Sequence, residues 1–180
     1  MCSKVGLPIK IMIDTNIYDE LYKNVIVRHK FIKLIESESV KFYTTPIQEE
    51  EIQKNLKPED KDKVKWSLDF NKKAEEVPSL FSFDVEGAGY DQGRFATSGE
   101  ISKYETIKPN SSQHHKDKNL AVVADGQVDI FVTNNTSDFS ANNLHNIKIM
   151  NWNEFIKKLE DLLQVCQSID LSLSKDRGKI

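Results

Sequence analysis

The chain predicts an α/β domain built on a central parallel sheet with helices on both faces. Strand-length apolar runs alternate with helix-spaced segments, the order produced by parallel strands joined through crossover helices. The first run, Ile9-Lys10-Ile11-Met12-Ile13, stops dead at Asp14-Thr15-Asn16, as a buried strand ending at a functional edge would. A length of 180 residues, 38% of them apolar and 29% charged, suits one globular domain with a single core.

The elements follow in order. After the strand at Ile9 to Ile13, Ile17 to Tyr22 continues as a short helix. Val27, Phe31, Leu34 and Ile35 recur at i, i+4, i+7 and i+8, a helical spacing. Val40-Lys41-Phe42-Tyr43 is a second strand. Thr45-Pro46 then opens a helix with a hydroxyl at the N-cap and proline at N1. That helix carries Ile47, Ile52 and Leu56 and ends before Lys57-Pro58. The charged stretch from Glu59 to Glu76 reads as a weakly amphipathic helix. Residues 86–113, with Gly87, Gly89, Gly93, Gly99 and Pro109, read as an irregular segment, so that the whole insertion spans about 57–113. Leu120, Ala121, Val123 and Ala124 give one apolar helix face, stopped by Gly126. Asp129 to Thr133 and Ile147 to Met150 are further strands, and Phe155, Ile156, Leu159, Leu162 and Leu163 mark a last amphipathic helix. The predicted domain covers 1–165, and the polar tail at 166–180 is expected to fray.

Composition narrows the function classes. A formal charge of −3 gives no whole-molecule attraction for a polyanion, so nucleic acid would have to be held by a local basic patch or by metal ions. Cys2 and Cys166 have no metal-ligand spacing and form no disulfide framework, which suits a reducing, cytoplasmic setting. No stretch approaches the ~18 apolar residues of a membrane span, and the N-terminus lacks a secretory apolar region; no membrane partner is expected.

Asp14 sits where a carboxylate is costly unless it is paired or metal-bound. Other acids and amides fall at matching places: Glu50 or Glu51 in the helix after strand two, Asp117 opening a helix, Asn135 and Asp138 after the strand that ends at Thr133. Residues just past parallel strand ends collect at one sheet edge. Clustered carboxylates without matching bases repel one another unless protonated or bridged by a cation. Oxygen ligands without Cys or His suit Mg²⁺ or Mn²⁺.

Four motifs in this order carry a family resemblance: Ile-Asp-Thr-Asn at Ile13 to Asn16, Thr-Pro-x-x-x-x-Glu-Ile from Thr45 to Ile52, Asp-x-x-Leu-Ala-x-x-Ala from Asp117 to Ala124, and Val-Thr-x-Asn-Thr-x-Asp-Phe from Val132 to Phe139. Together they resemble the PIN-domain nucleases, especially the VapC-like toxins of toxin–antitoxin pairs. The resemblance implies a PIN-like three-layer fold and an Mg²⁺- or Mn²⁺-dependent endoribonuclease. Asp14, Glu51, Asp117 and Asp138 would be its catalytic and metal-binding acids. Thr15, Asn16, Thr133 and Asn135 would support them. Counting from Thr45 selects Glu51, and counting from Thr44 selects Glu50; Glu51 is preferred because it directly precedes an apolar residue. The resemblance also implies RNA as substrate, a cognate antitoxin protein and a homodimer. An RNA-processing nuclease without an antitoxin, or a silent PIN-like module that binds RNA or protein, are the alternative readings. The insertion makes this chain longer than a minimal toxin.

Each acid also has a purely structural reading. Asp14 and Asp117 are good helix N-caps, Glu49-Glu50-Glu51 could complement a helix N-terminus, and Asp138 could be a turn residue. Their joint occurrence favours the site. His114 and His115 are adjacent, point in different directions, and have no third His or Cys to complete a metal site. Beside Lys116 and Lys118 they suit phosphate better. Arg94 is a candidate for bidentate phosphate contact. Trp66 and Trp152 read as packing residues, and the Lys57 to Lys73 run, interleaved with acids, as a solvated helix face.

Overall fold

The computed structural model describes residues 7–54, 60–82, 88–89, 91–107, 115–136, 144 and 146–177, the stretch 169–177 by backbone alone. It is an α/β fold with a five-stranded parallel sheet between helical layers. In chain order the elements are β1 (Ile9–Ile13), α1 (Thr15–Lys23), α2 (Val25–Glu36), β2 (Val40–Thr44), α3 (Pro46–Lys54), α4 (Lys61–Asn71), β3 (Glu75–Glu76), β4 (Ser79–Leu80), β5 (Gly93–Arg94), α5 (Ser98–Thr106), α6 (His115–Gln127), β6 (Ile130–Val132), β7 (Lys148–Met150) and α7 (Trp152–Arg177).

The sheet order is β3-β2-β1-β6-β7. From β1 the chain runs outwards through β2 and β3, then returns to the other side of β1 for β6 and β7. The order therefore reverses between β1 and β6. In open α/β sheets that switch point leaves a crevice beyond the carboxyl ends of the two strands, where ligands bind. Asp14 lies at the end of one strand and Thr133 at the end of the other.

Side chains alternate across the sheet, as the period of two requires. Ile11, Ile13, Val40, Phe42, Ile130 and Val132 join a core with residues of α1, α2, α4 and α7. Phe31 is fully buried at its centre, with ring centroids of Phe42, Phe155 and Phe70 at 5.4, 5.2 and 5.8 Å. Met12, Tyr43 and Phe131 face the opposite way, into a second core filled by α6. Trp66 packs as expected, stacked on Phe70 at 5.2 Å with Arg28 5.0 Å over its ring. The lysines around it are paired, Lys63 with Asp19 at 3.1 Å and Lys72 with Asp69 at 2.7 Å, in keeping with a solvated face.

Three elements depart from the sequence reading. The segment read as irregular contains α5, opened by a capping box in which Thr97 and Glu100 bond each other's backbone N–H. The pattern Thr-x-x-Glu is its sequence signal, but α5 buries none of its residues and so shows no apolar stripe. β3 is two exposed glutamates, without the apolar content that marks a strand. The C-terminal helix continues past Cys166 to Arg177, beyond the last apolar position that marked it in the sequence.

The β4–β5–α5 unit also changes α6. Its residues from Lys118 to Asp125 are all buried, not only the predicted apolar face. Asn119 donates to the Leu80 carbonyl at 2.7 Å and accepts from the Leu80 N–H at 2.9 Å. Asp125 accepts from Lys103 and from the Asn146 N–H. The inserted unit thus satisfies polar groups on the outer side of α6, which lets that helix lie inside the molecule. Gly93 sits at the tightest point of the unit: a Cβ there would stand 2.9 Å from both the Ala88 carbonyl oxygen and Phe81 Cα.

Candidate metal and active site

Asp14 ends β1 and caps α1, with its Oδ1 accepting from the Thr15 N–H at 2.7 Å. Its structural reading as an N-cap is therefore correct, but the cap occupies one oxygen only. The second, Oδ2, accepts from Asn16 Nδ2 at 2.6 Å and Thr133 Oγ1 at 2.7 Å. The residue is 4% exposed, and all these donors are neutral. Burial pushes its carboxyl up from 3.8 to about 6; the Thr133 bond opposes this, and the nearby charges of Asp117 and Glu51 add to it.

Glu51 reaches the group from α3. Thr15 Oγ1 donates to Glu51 Oε2 at 2.8 Å and lies 3.4 Å from Asp14 Oδ1, so one hydroxyl joins the two acids. Burial raises the Glu51 carboxyl, the Thr15 bond opposes that, and Lys116 and Lys54 oppose it further while Asp117 adds to it. The Thr15 hydroxyl brings Glu51 into this group, and no described hydrogen bond ties Glu50 to it. Asp117 stands in the first turn of α6, close enough to bear on both other acids.

A residue that the sequence reading missed sets the spacing. Gln48 is fully buried, donates from Nε2 to the Ile13 carbonyl, and accepts from the Thr45 N–H at 3.0 Å and Thr44 Oγ1 at 3.3 Å. It clamps the first turn of α3 to the last carbonyl of β1, one helical turn before Glu51. Thr-Pro-Ile-Gln has capping-box spacing, which was the available signal. Only the glutamine half of that box forms, for Thr45 Oγ1 is buried without a partner.

Thr133 and Asn16 extend the network. Thr133 Oγ1 accepts from the Asn135 N–H at 3.0 Å, and Asn16 Oδ1 accepts from the Asn134 N–H at 3.2 Å. The loop after β6 is thereby fastened to Asp14; Asn135 takes part through its backbone. Asp138 and His114 lie outside the described residues. Of the expected phosphate contacts, Arg94 lays its guanidinium on Glu100, with Nη1 to Oε2 at 3.0 Å, and holds that carboxyl down at about 2. Lys118 is buried, with Nζ 5.2 Å over the Tyr104 ring. Both side chains are engaged within the protein, while Lys116 bears on Glu51.

The donor chemistry fits a hard divalent cation. The charge of Asp117 raises the proton affinity of both Asp14 and Glu51, that of Glu51 raises Asp14 further, and a cation would relieve the repulsion. Among the described residues, no three of His, Cys, Asp or Glu already stand close enough together to form a finished metal cage. Also among these residues, no helix is long and apolar enough to cross a membrane.

Thr15→Val tests the bridge. It retains the N–H bond to Asp14 and deprives Glu51 of its hydroxyl donor. The expected loss is about 1–2 kcal/mol of unfolding free energy at pH 7 by urea titration, the range for a hydrogen bond to a partly solvated charge. An unchanged midpoint would show that the bridge carries no energy.

Comparison with protein-family models and with curated proteins gives no match.

Proposed function

We propose that this protein is an Mg²⁺- or Mn²⁺-dependent endoribonuclease of the PIN-domain type. The observation that supports it most is Asp14: a buried carboxylate at the β1–β6 switch point, surrounded by neutral donors and within electrostatic reach of Glu51 and Asp117. Asp14, Glu51 and Asp117 would hold the ion, with Asp138 as the fourth acid that the resemblance adds. A bound divalent ion supplies hydroxide from water near neutral pH and neutralises charge on the scissile phosphate. The chain's own residues prepare for this. Thr15, Asn16 and Thr133 fix the Asp14 carboxylate, Gln48 sets the distance from α3, and Lys116 places a cation beside Glu51 for the incoming polyanion.

Asp117→Asn is the direct test. The wild type should cleave single-stranded RNA only with Mn²⁺ or Mg²⁺, and the variant should lose at least a hundredfold in rate while melting within a few degrees of it. Equal cleavage by both would sink the assignment. The cellular role follows as a toxin of a toxin–antitoxin pair acting in the cytoplasm, with a homodimer and an antitoxin as partners. Growth arrest on expression of this chain, relieved by the product of a neighbouring gene, would distinguish that role from RNA processing. A second reading is a silent RNA- or protein-binding module, favoured by Asn135, a neutral amide that joins the network around Asp14 through its backbone. Calorimetric titration with Mn²⁺ separates the two: no heat of binding at neutral pH would favour the silent module.

A further inference from the structure

We infer that Gln48 sets which divalent ion the acid site takes, favouring a small ion such as Mn²⁺ over Ca²⁺ by fixing the span from Asp14 to Glu51. The inference rests on the reading of Asp14, Glu51 and Asp117 as a cation site, and adds how that site discriminates by size. Gln48 Nε2 donates to the carbonyl of Ile13, the residue immediately before Asp14. Glu51 follows three residues later in α3, a spacing that puts both side chains on one helix face. The tie is closed to solvent: Gln48 and Ile13 are fully buried, and Asp14 nearly so.

Both ends of the span are held. Gln48 Oε1 accepts from the Thr45 N–H at 3.0 Å and Thr44 Oγ1 at 3.3 Å, so the amide is fixed at its oxygen as well as its nitrogen. Asp14 Oδ2 is fixed by Asn16 and Thr133. Glu51 Oε2 accepts from Thr15 Oγ1 at 2.8 Å. Glu51 is therefore tied twice to the end of β1, through the helical turn that carries it and at its carboxylate. Fixed oxygens suit an ion that demands one geometry. Mg²⁺ needs near-ideal octahedral oxygens at about 2.0–2.1 Å, whereas Ca²⁺ takes roughly six to eight at about 2.3–2.6 Å in flexible arrangements. Mn²⁺ takes the same oxygen donors as Mg²⁺ and is smaller than Ca²⁺.

Satisfying a buried carbonyl is the simpler role for Gln48. The pairing of β1 with β2 ends at Met12 and Tyr43, so the Ile13 carbonyl lies past it and needs a donor. The source of that donor points further. It comes from the helix that carries Glu51, one turn before the acid, so the bond that satisfies β1 also positions a carboxylate. Groups that orient ion-binding side chains tune affinity without touching the ion. The two roles differ in what they predict. A carbonyl partner alone supports the fold and serves every ion alike, whereas a spacing device acts on the ratio between ions.

The test titrates the full chain with Mn²⁺ and with Ca²⁺ by calorimetry at neutral pH, without RNA. The wild type should bind Mn²⁺ more tightly than Ca²⁺. Gln48→Met keeps the side-chain length and loses the amide; it should weaken Mn²⁺ about ten- to a hundredfold and change Ca²⁺ by less than about threefold. Thr15→Val loosens the same span at the carboxylate and should also narrow the preference, which keeps the inference testable where Gln48→Met does not fold. Tyr18→Phe removes a buried hydrogen bond to Asn71, 2.6 Å long, that lies outside this span; it should lower the melting temperature and keep the preference. A wild type that binds both ions equally, or neither, overturns the inference. So does a Gln48→Met or Thr15→Val variant that keeps the preference, or a Tyr18→Phe variant that loses it. Mn²⁺-dependent RNA cleavage is read separately. An ion preference set by Gln48 without cleavage would remove the nuclease reading and leave the inference, and cleavage with a preference indifferent to Gln48 would do the reverse.

Discussion

Asp14→Asn should make the folded protein up to about 3 kcal/mol more stable at pH 7 while abolishing the metal-dependent cleavage proposed for it. Burial raises the Asp14 carboxyl from 3.8 to about 6, and each pH unit corresponds to 1.36 kcal/mol, which sets the size of the effect. The sign follows from linkage. Below pH 3.8 the group is protonated in both folded and unfolded chains and favours neither. Between 3.8 and about 6 the unfolded chain ionises first, so stability falls as pH rises; above 6 the full deficit remains. Asparagine cannot ionise, so its advantage should be complete above pH 6, shrink through the window, and vanish below 3.8. With the amide nitrogen in place of Oδ2, the Thr133 hydroxyl can turn to accept from it. Asn16 Nδ2, which donates to that oxygen at 2.6 Å, then faces a second donor, so about 3 kcal/mol is the upper end of the gain. Mn²⁺ should raise the melting temperature of the wild type and not of the variant. Urea titrations across pH 3.5–8 give the test. A variant less stable than wild type at pH 7 would mean that the hydrogen bonds to the carboxylate outweigh its burial.

Phe31→Ala should cost about 3–5 kcal/mol, the range for emptying an aromatic site in a core. The three rings around Phe31 belong to β2, α4 and α7, so the vacancy would be bordered by separate elements that cannot all move inwards. The near-perpendicular Phe155 and tilted Phe42 contacts add edge-to-face energy that alanine cannot replace. For a chain of this length the melting temperature should fall by roughly 6–20 °C. A drop below about 3 °C would show that this cluster does not hold the layer together. Phe31 is on the opposite sheet face from α6, so the Mn²⁺-induced rise in melting temperature should survive.

The sheet was legible because β1, β2 and β6 are apolar runs of strand length, and because the polar tripeptide at Asp14 ends the central one. Glu51 could be preferred to Glu50 before any coordinates, from the count starting at Thr45. What escaped the sequence reading lacked an apolar signal. Glu75 and Glu76 form a strand only because β2 offers them partners. α5 buries nothing, and its capping box was its sole mark. Gln48 resembles a surface residue until its amide is seen between β1 and α3. Lys118 reads from the sequence as a surface cation, whereas the inserted unit encloses it. In each case the deciding partner comes from a segment distant in sequence, and local pattern carries no record of it.

The join between β1 and β6 has a consequence for the newly made protein. The hydroxyl that fixes Asp14 belongs to Thr133, 119 residues later. At a synthesis rate of 5–20 residues per second, that stretch takes roughly 6–24 s to emerge. Until then β1 has no partner on that side, and Asp14 is an ordinary solvated carboxylate on an unfinished chain. Under the proposed function, the cutting edge therefore cannot close on a nascent chain before Thr133 has left the ribosome.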